Sequence, residues 1–275
     1  MKAVLLGYHA HHVVGADYAR NDHRAFPADL ELITESGWRI VPLVDLIAAL
    51  AGGDDGDEKL VALTFDDGPV YDVEDFAHPE FGPQRSFLNA MRDFRDRRGA
   101  GAQPGLHATS FVIASPAARA AMESSFDRDY TWLEAGALSE TWWAPATDTG
   151  LLGIANHSWD HLHPALATVA HSAQARGDFR RVETWADADA QILRAQSYIA
   201  ERTGGRAEAV FAYPFGHYNA FLTERYFPAR MRYGFVGAVT VDPGPVDPAA
   251  GPWRLARYVC GHNWRSPEEL AAILG

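Results

Sequence analysis

Short apolar runs alternate along the chain with longer stretches whose apolar residues recur every three or four positions. A short continuous apolar run reads as a strand buried on both faces and the longer period as an amphipathic helix, so the pattern predicts parallel strands joined by helices. Strands are expected at residues 4–8, 39–41, 60–65, 107–113, 151–154, 209–213, 235–239 and 254–259. Helices are expected at 28–35, stopped by Gly37, and at 43–50, 84–97, 184–202 and 267–274. Such a series of strands, each followed by helix or loop, points to a barrel more than to an open sheet, although periodicity alone does not separate the two. Residues 52–57 read as an acidic turn, and residues 115–149 carry Trp132, Trp142 and Trp143 among small residues without a repeat. The second stretch reads as an insertion that either shapes a cleft or covers the barrel's outer face.

A chain of 275 residues with 47% hydrophobic content suffices for one large core, and a single domain over residues 1–275 is expected. The formal net charge of -12 opposes attraction to phosphate backbones and anionic bilayers, which argues against nucleic acid and membrane partners. Cys260 is the single cysteine. It excludes an intrachain disulfide and a four-cysteine zinc site, and its expected role is a small buried apolar side chain. The apolar run after Met1 is too short for a secretory core or a membrane span, so the expected location is cytoplasmic.

Three loops that follow strands carry candidate chemistry. Thr64-Phe65-Asp66-Asp67-Gly68-Pro69 sets two carboxylates at the end of the clearest strand, where a barrel of parallel strands places its active site. Neighbouring side chains on extended backbone point apart, so the two aspartates need different partners, one a metal and the other a proton. Asn156-His157-Ser158-Trp159-Asp160-His161-Leu162-His163-Pro164 sets two imidazoles four residues apart; were the segment helical, both would project from one face toward a single ion. Imidazoles with a carboxylate suit zinc, and also cobalt or nickel. Phe211-Ala212-Tyr213-Pro214-Phe215-Gly216-His217 ends a third strand, and its Pro and Gly shape a turn that can aim the Phe215 N–H into the cleft as an oxyanion donor. Each motif alone also has a bland reading, as turn chemistry, a chance histidine pair or a strand-ending turn.

Taken in order, Thr-Phe-Asp-Asp-Gly, His-Ser-x-x-His and Tyr-Pro-Phe-Gly resemble the ordered motifs of the polysaccharide deacetylase (NodB-homology) family, and Tyr8-His9 and residues 107–113 fit the same framework. The resemblance implies a distorted (β/α) barrel of about seven parallel strands. It implies that Asp66 is the general base, that Asp67, His157 and His161 ligate a divalent metal, and that an N-acetylated carbohydrate is the substrate. A histidine is required to protonate the departing amine, and His262, after the last strand, is the first choice, although the text there is Cys260-Gly261-His262 where the family reads Leu-x-His. Tyr213, Pro214, His217, Arg257 and His9 are placed around the substrate.

The chain also departs from the family pattern. Ala212 stands where many members carry an arginine that holds the catalytic aspartate, and Arg257, from Trp253-Arg254-Leu255-Ala256-Arg257, is the candidate substitute. His9, His11 and His12 end the first strand close to the expected site, whereas His23 reads as a solvated loop residue. Two other functions stay open: hydrolysis of a different amide, such as a cyclic imide or ureide, and a noncatalytic carbohydrate-binding barrel.

Overall fold

The computed structural model describes residues 1–53, 56–125, 132–170 and 175–275; the centre of the acidic turn and part of the 115–149 stretch lie outside them. Ten strands are present among these residues: β1 (Lys2–Tyr8), β2 (Arg39–Ile40), β3 (Lys59–Phe65), β4 (Phe76–His78), β5 (Gly82–Gln84), β6 (Ala108–Val112), β7 (Leu152–Asn156), β8 (Val210–Ala212), β9 (Gly237–Val239) and β10 (Tyr258–Val259). Seven run parallel in the order β10-β1-β3-β6-β7-β8-β9. Short β2 shares an edge of β3 with β6: it pairs with Leu60 and Val61, and β6 takes over at Leu63. The two ends of the sheet meet through the segment before β10. Leu255 bridges Val239 of β9, and Tyr258 pairs with Leu6 of β1. One bridge on that side gives a distorted barrel of seven parallel strands.

Alternation along the strands sorts their side chains into two cores. Leu5, Ala62, Phe111, Ala155, Ala212 and Val239 form the inner cluster, and Leu43, Leu46 and Ile47 of the helix Leu43–Gly52 plug its lower end. Leu6, Leu63 and Ile154 face outward and pack under the surrounding helices with Phe26, Phe87 and Trp264. Trp142 and Trp143 join this outer core and cover the barrel's outer face. Among the described residues, no helix is long and apolar enough to cross a membrane.

Each expected strand position holds a strand, and the differences lie in the connections. The first helix starts at Asp22, six residues early and through Pro27, because the Asn21 side chain caps it and Ala25 and Phe26 are buried. His23 therefore lies in that helix and is buried, stacked on Phe87, with ring nitrogens 2.8 and 2.7 Å from the carbonyls of Arg85 and Ala10; it is not a solvated loop residue. The β4–β5 hairpin escapes the periodic reading because it is short and contains Gly82 and Pro83. The single helix expected at 184–202 divides into Trp185–Ala188, a wider π-helical turn at Asp189–Leu193, and Arg194–Arg202.

At the lower end of the barrel Glu208 occupies the space left by Gly153, whose missing Cβ would lie 2.0 Å from the Glu208 carboxylate. Glu208 accepts a hydrogen bond from Thr109 Oγ1 (2.7 Å), and burial pushes its pKa up to about 7. The protonated form is thus favoured by folding, and the stability it contributes is lost as pH rises from the unfolded value near 4.5 through the folded one. Glu208→Gln mimics the protonated state. We expect its unfolding free energy to match the parent at about pH 4 and exceed it by about 1–3 kcal/mol at about pH 8 in denaturant titrations.

Candidate active site

The carboxyl ends of β1, β3, β7 and β8 surround a cavity of about 250 Å³ lined by His9, His11, Asp66, Asp67, His157 and His161, with Met122, His163, Tyr213 and Phe215 around them. Active sites of parallel barrels form at this end because the loops there converge on the barrel axis.

At the end of β3 the Asp66 N–H makes a sheet-like bond to the Tyr8 carbonyl (3.1 Å). The backbone then turns through left-handed conformations at Asp67 (φ 70°) and Gly68 (φ 67°). At Gly68 a side chain is excluded on steric grounds as well, since a Cβ would meet Val112 Cγ1 at 2.5 Å. The turn separates the two carboxylates. Asp66 faces Arg257, whose Nη1 and Nη2 donate to its two oxygens at 2.7 Å each. Arg257 is fully buried and is itself held by Thr240 O (3.0 Å) and Thr64 Oγ1 (3.1 Å). It is not among the residues that line the cavity, so it is placed to hold Asp66 rather than to bind substrate. Burial raises the pKa of Asp66, but the Arg257 guanidinium outweighs burial and holds the carboxyl well below its ordinary range.

Asp67 has no such arginine, and burial pushes its pKa up to about 6. Its Oδ1 lies 3.6 Å from His157 Nε2 and 3.8 Å from His161 Nε2, and one donor atom from each of the three residues fits within 4.8 Å. His157 Nδ1 is 2.9 Å from the Ala212 carbonyl. A ring nitrogen against a carbonyl must donate, so Nε2 carries the lone pair toward Asp67. Burial lowers the pKa of both histidines, which keeps them neutral and competent as ligands. A neutral imidazole pair beside a carboxylate without its own cation is the donor set of a zinc-type site with positions left open. The residues present therefore fit a divalent metal.

The histidines do not reach this arrangement from a helix. Ser158, His161 and Leu162 adopt positive φ (74°, 58° and 46°), and the loop is tied by its own side chains: Ser158 N–H to Asn156 Oδ1 (2.8 Å), His161 N–H to Ser158 Oγ (2.9 Å) and Leu162 N–H to Asp160 Oδ1 (3.0 Å). Phe215, also at positive φ (58°), sets its ring edge-on against His161 at 4.4 Å. Gly216 follows with no room for a Cβ, which would lie 2.1 Å from Val241.

Other expected residues sit elsewhere. His262 is exposed and does not line the cavity. His9, just after β1, does line it, with Nε2 3.8 Å from Asp66 Oδ2. His11, which the motif reading left unassigned, places Nε2 3.7 Å from Asp67 Oδ2. His217 pairs with Asp178 at 3.2 Å and Pro214 is buried in its turn; neither lines the cavity. Tyr213 lines it but spends its hydroxyl on the Trp253 carbonyl (2.9 Å). For His9 the Tyr8-His9 pair was a signal in the sequence; for His11 it was only the position just after the first strand.

Arg257→Met should leave the Asp66 carboxylate buried without a partner and lower the unfolding free energy by about 3 kcal/mol or more. Adding Asp66→Asn removes the stranded charge, so the double variant should recover part of that loss in denaturant titrations.

Known proteins give the same picture. The family model described as polysaccharide deacetylase matches residues 100–233, a span that includes both histidine ligand candidates and the Phe215 turn but begins after Asp66 and Asp67. Among curated proteins, none matches the sequence. Solved structures similar over nearly the whole chain include the Streptococcus pyogenes deacetylase PplD in complex with acetate, at 17% identity and TM-score 0.62, covering 100% of this chain and 99% of that one. IcaB from Ammonifex degensii is 20% identical with TM-score 0.64, covering 99% and 97%. A de-N-acetylase from Aggregatibacter actinomycetemcomitans is 14% identical with TM-score 0.60, covering 98% and 99%. At such identities the structures show a shared fold. With the family model on residues 100–233, the fold shared with these deacetylase structures and the paired aspartates completing the ordered motifs, the chain is similar to the polysaccharide deacetylase family.

Proposed function

We propose that this protein is a metal-dependent hydrolase that removes N-acetyl groups from an amino sugar, its oligosaccharide or its polysaccharide, with zinc as the metal and cobalt or nickel as substitutes. The observation that carries the reading is the approach of Asp67, His157 and His161 to one another within the cavity that also holds Asp66. A divalent ion held by these three residues supplies Lewis acidity, acidifying water and polarising an acyl carbonyl.

The remaining roles belong to the chain. Asp66, kept ionised by Arg257, accepts the proton from the attacking water. The Phe215 N–H, aimed by its left-handed turn, supports the charge that develops on the carbonyl oxygen. His9, across the cavity mouth from Asp66, gives a proton to the departing amine and takes the role first assigned to His262. The acyl group and the sugar are inferred from the similarity to polysaccharide deacetylases and to structures such as the deacetylase PplD and the de-N-acetylase, since the fold alone does not select a substrate.

The test is acetate release from N-acetylated chitooligosaccharides, alongside a panel of cyclic amides, with zinc or cobalt added and metal content measured. Asp67→Ala and His161→Ala should lose both bound metal and turnover. Asp66→Asn should keep the metal and lose turnover by about 100-fold or more. His9→Ala should slow the reaction strongly, whereas His262→Ala should leave it near the parent rate. Hydrolysis confined to the cyclic amides would overturn the substrate assignment, and full activity after metal removal would overturn the site.

A further inference from the structure

The loop that carries His157 and His161 lies against the helical segment that ends at Arg202, and the contact falls on the π-helical turn Asp189–Leu193. Two consecutive carbonyls of that turn accept bonds from the loop. The Trp159 N–H donates to Gln191 O (2.7 Å), and Asn156 Nδ2 donates to Ile192 O (2.9 Å). The wider turn presents backbone oxygens that a regular α-helix keeps along its axis.

The Gln191 side chain adds a second layer. Its Nε2 donates to Asp160 Oδ1 (2.8 Å) and to the Ala170 carbonyl (3.2 Å), and its Oε1 faces the Asp160 N–H at 3.4 Å. Asp160 in turn accepts the N–H of Leu162, which with His161 forms the left-handed pair of the loop. Gln191 is fully buried and Asp160 nearly so, so water does not readily replace these bonds. Left-handed conformations at non-glycine residues are disfavoured by about 1–3 kcal/mol each and persist only where the surroundings fix them.

We infer that Gln191 is a positioning residue for the metal site: through Asp160 it holds His161 and Leu162 in the conformation that turns the His161 imidazole toward Asp67. It touches neither the metal ligands' donor atoms nor the cavity. The inference rests on the metal reading proposed above, and its test separates the two.

Gln191→Met keeps the side chain's length and apolar stem and removes its donors and acceptor. Ile199→Val, on the same helix and buried in the outer core, serves as a packing control. Zinc affinity is measured by competition with a chromophoric chelator, and amide exchange of the 157–163 segment by mass spectrometry in chelator-treated protein. Gln191→Met should weaken zinc binding about 10–100-fold, the range seen when residues that orient metal ligands are lost. It should also speed exchange in the segment, with Ile199→Val unchanged in both. Zinc affinity and exchange within twofold of the parent would overturn the inference. Should Gln191→Met not fold, Asp160→Ala, which removes the acceptor shared by Gln191 and Leu162, carries the same test with the same two outcomes. A parent protein that binds no zinc sinks the metal reading alone, and the exchange measurement still decides the role of Gln191.

Discussion

Two buried carboxylates adjacent in sequence cannot both remain charged without two separate sources of positive charge. In this protein the constraint organises the whole upper end of the barrel. Asp66 takes the Arg257 guanidinium in a two-pronged bond, and Asp67 is left facing two neutral imidazoles. One aspartate is thereby committed to remaining ionised, and the other to needing a cation. The difference in environment, rather than any difference in residue type, divides the proposed base from the ligand candidate.

Barrel closure supplies that division. Arg257 lies in the segment that joins the two ends of the sheet, between the Leu255 bridge to β9 and the pairing of β10 with β1. Its side chain enters the barrel beside Gly7, where a Cβ would come within 3.5 Å of the guanidinium. Arg257, from this closing segment, thus provides the guanidinium that the resemblance led one to expect at position 212. What Ala212 contributes instead is its backbone carbonyl, which orients His157.

Backbone strain is concentrated where the chemistry is. Among the described residues, the non-glycine positions with positive φ are Asp67, Ser158, His161, Leu162 and Phe215, all in the three loops at the site. Two of them are ligand candidates and one carries the proposed oxyanion donor. The surrounding scaffold offsets this strain with side-chain bonds to loop amides and with glycines packed against Val112 and Val241. The lower end of the barrel, plugged by Leu43, Leu46 and Ile47, has the opposite character and provides the stable base.

Much of this was legible in the residues. Strand positions, the parallel βαβ order, the carboxylate pair after β3 and the imidazole pair after β7 all follow from local period and residue type, because a buried strand must be apolar and a ligand must carry the right donor. Arg257 was readable as a candidate once Ala212 was noticed. The tertiary structure alone decided which histidine shares the cavity with Asp66: His9 at the end of β1 lies within it and His262 after β10 faces solvent. It also decided that His157 and His161 meet through a left-handed loop instead of a helix face. Spacing along a chain constrains only near neighbours, whereas the position of a side chain around a barrel axis depends on strand register, closure and burial, which the whole fold sets together.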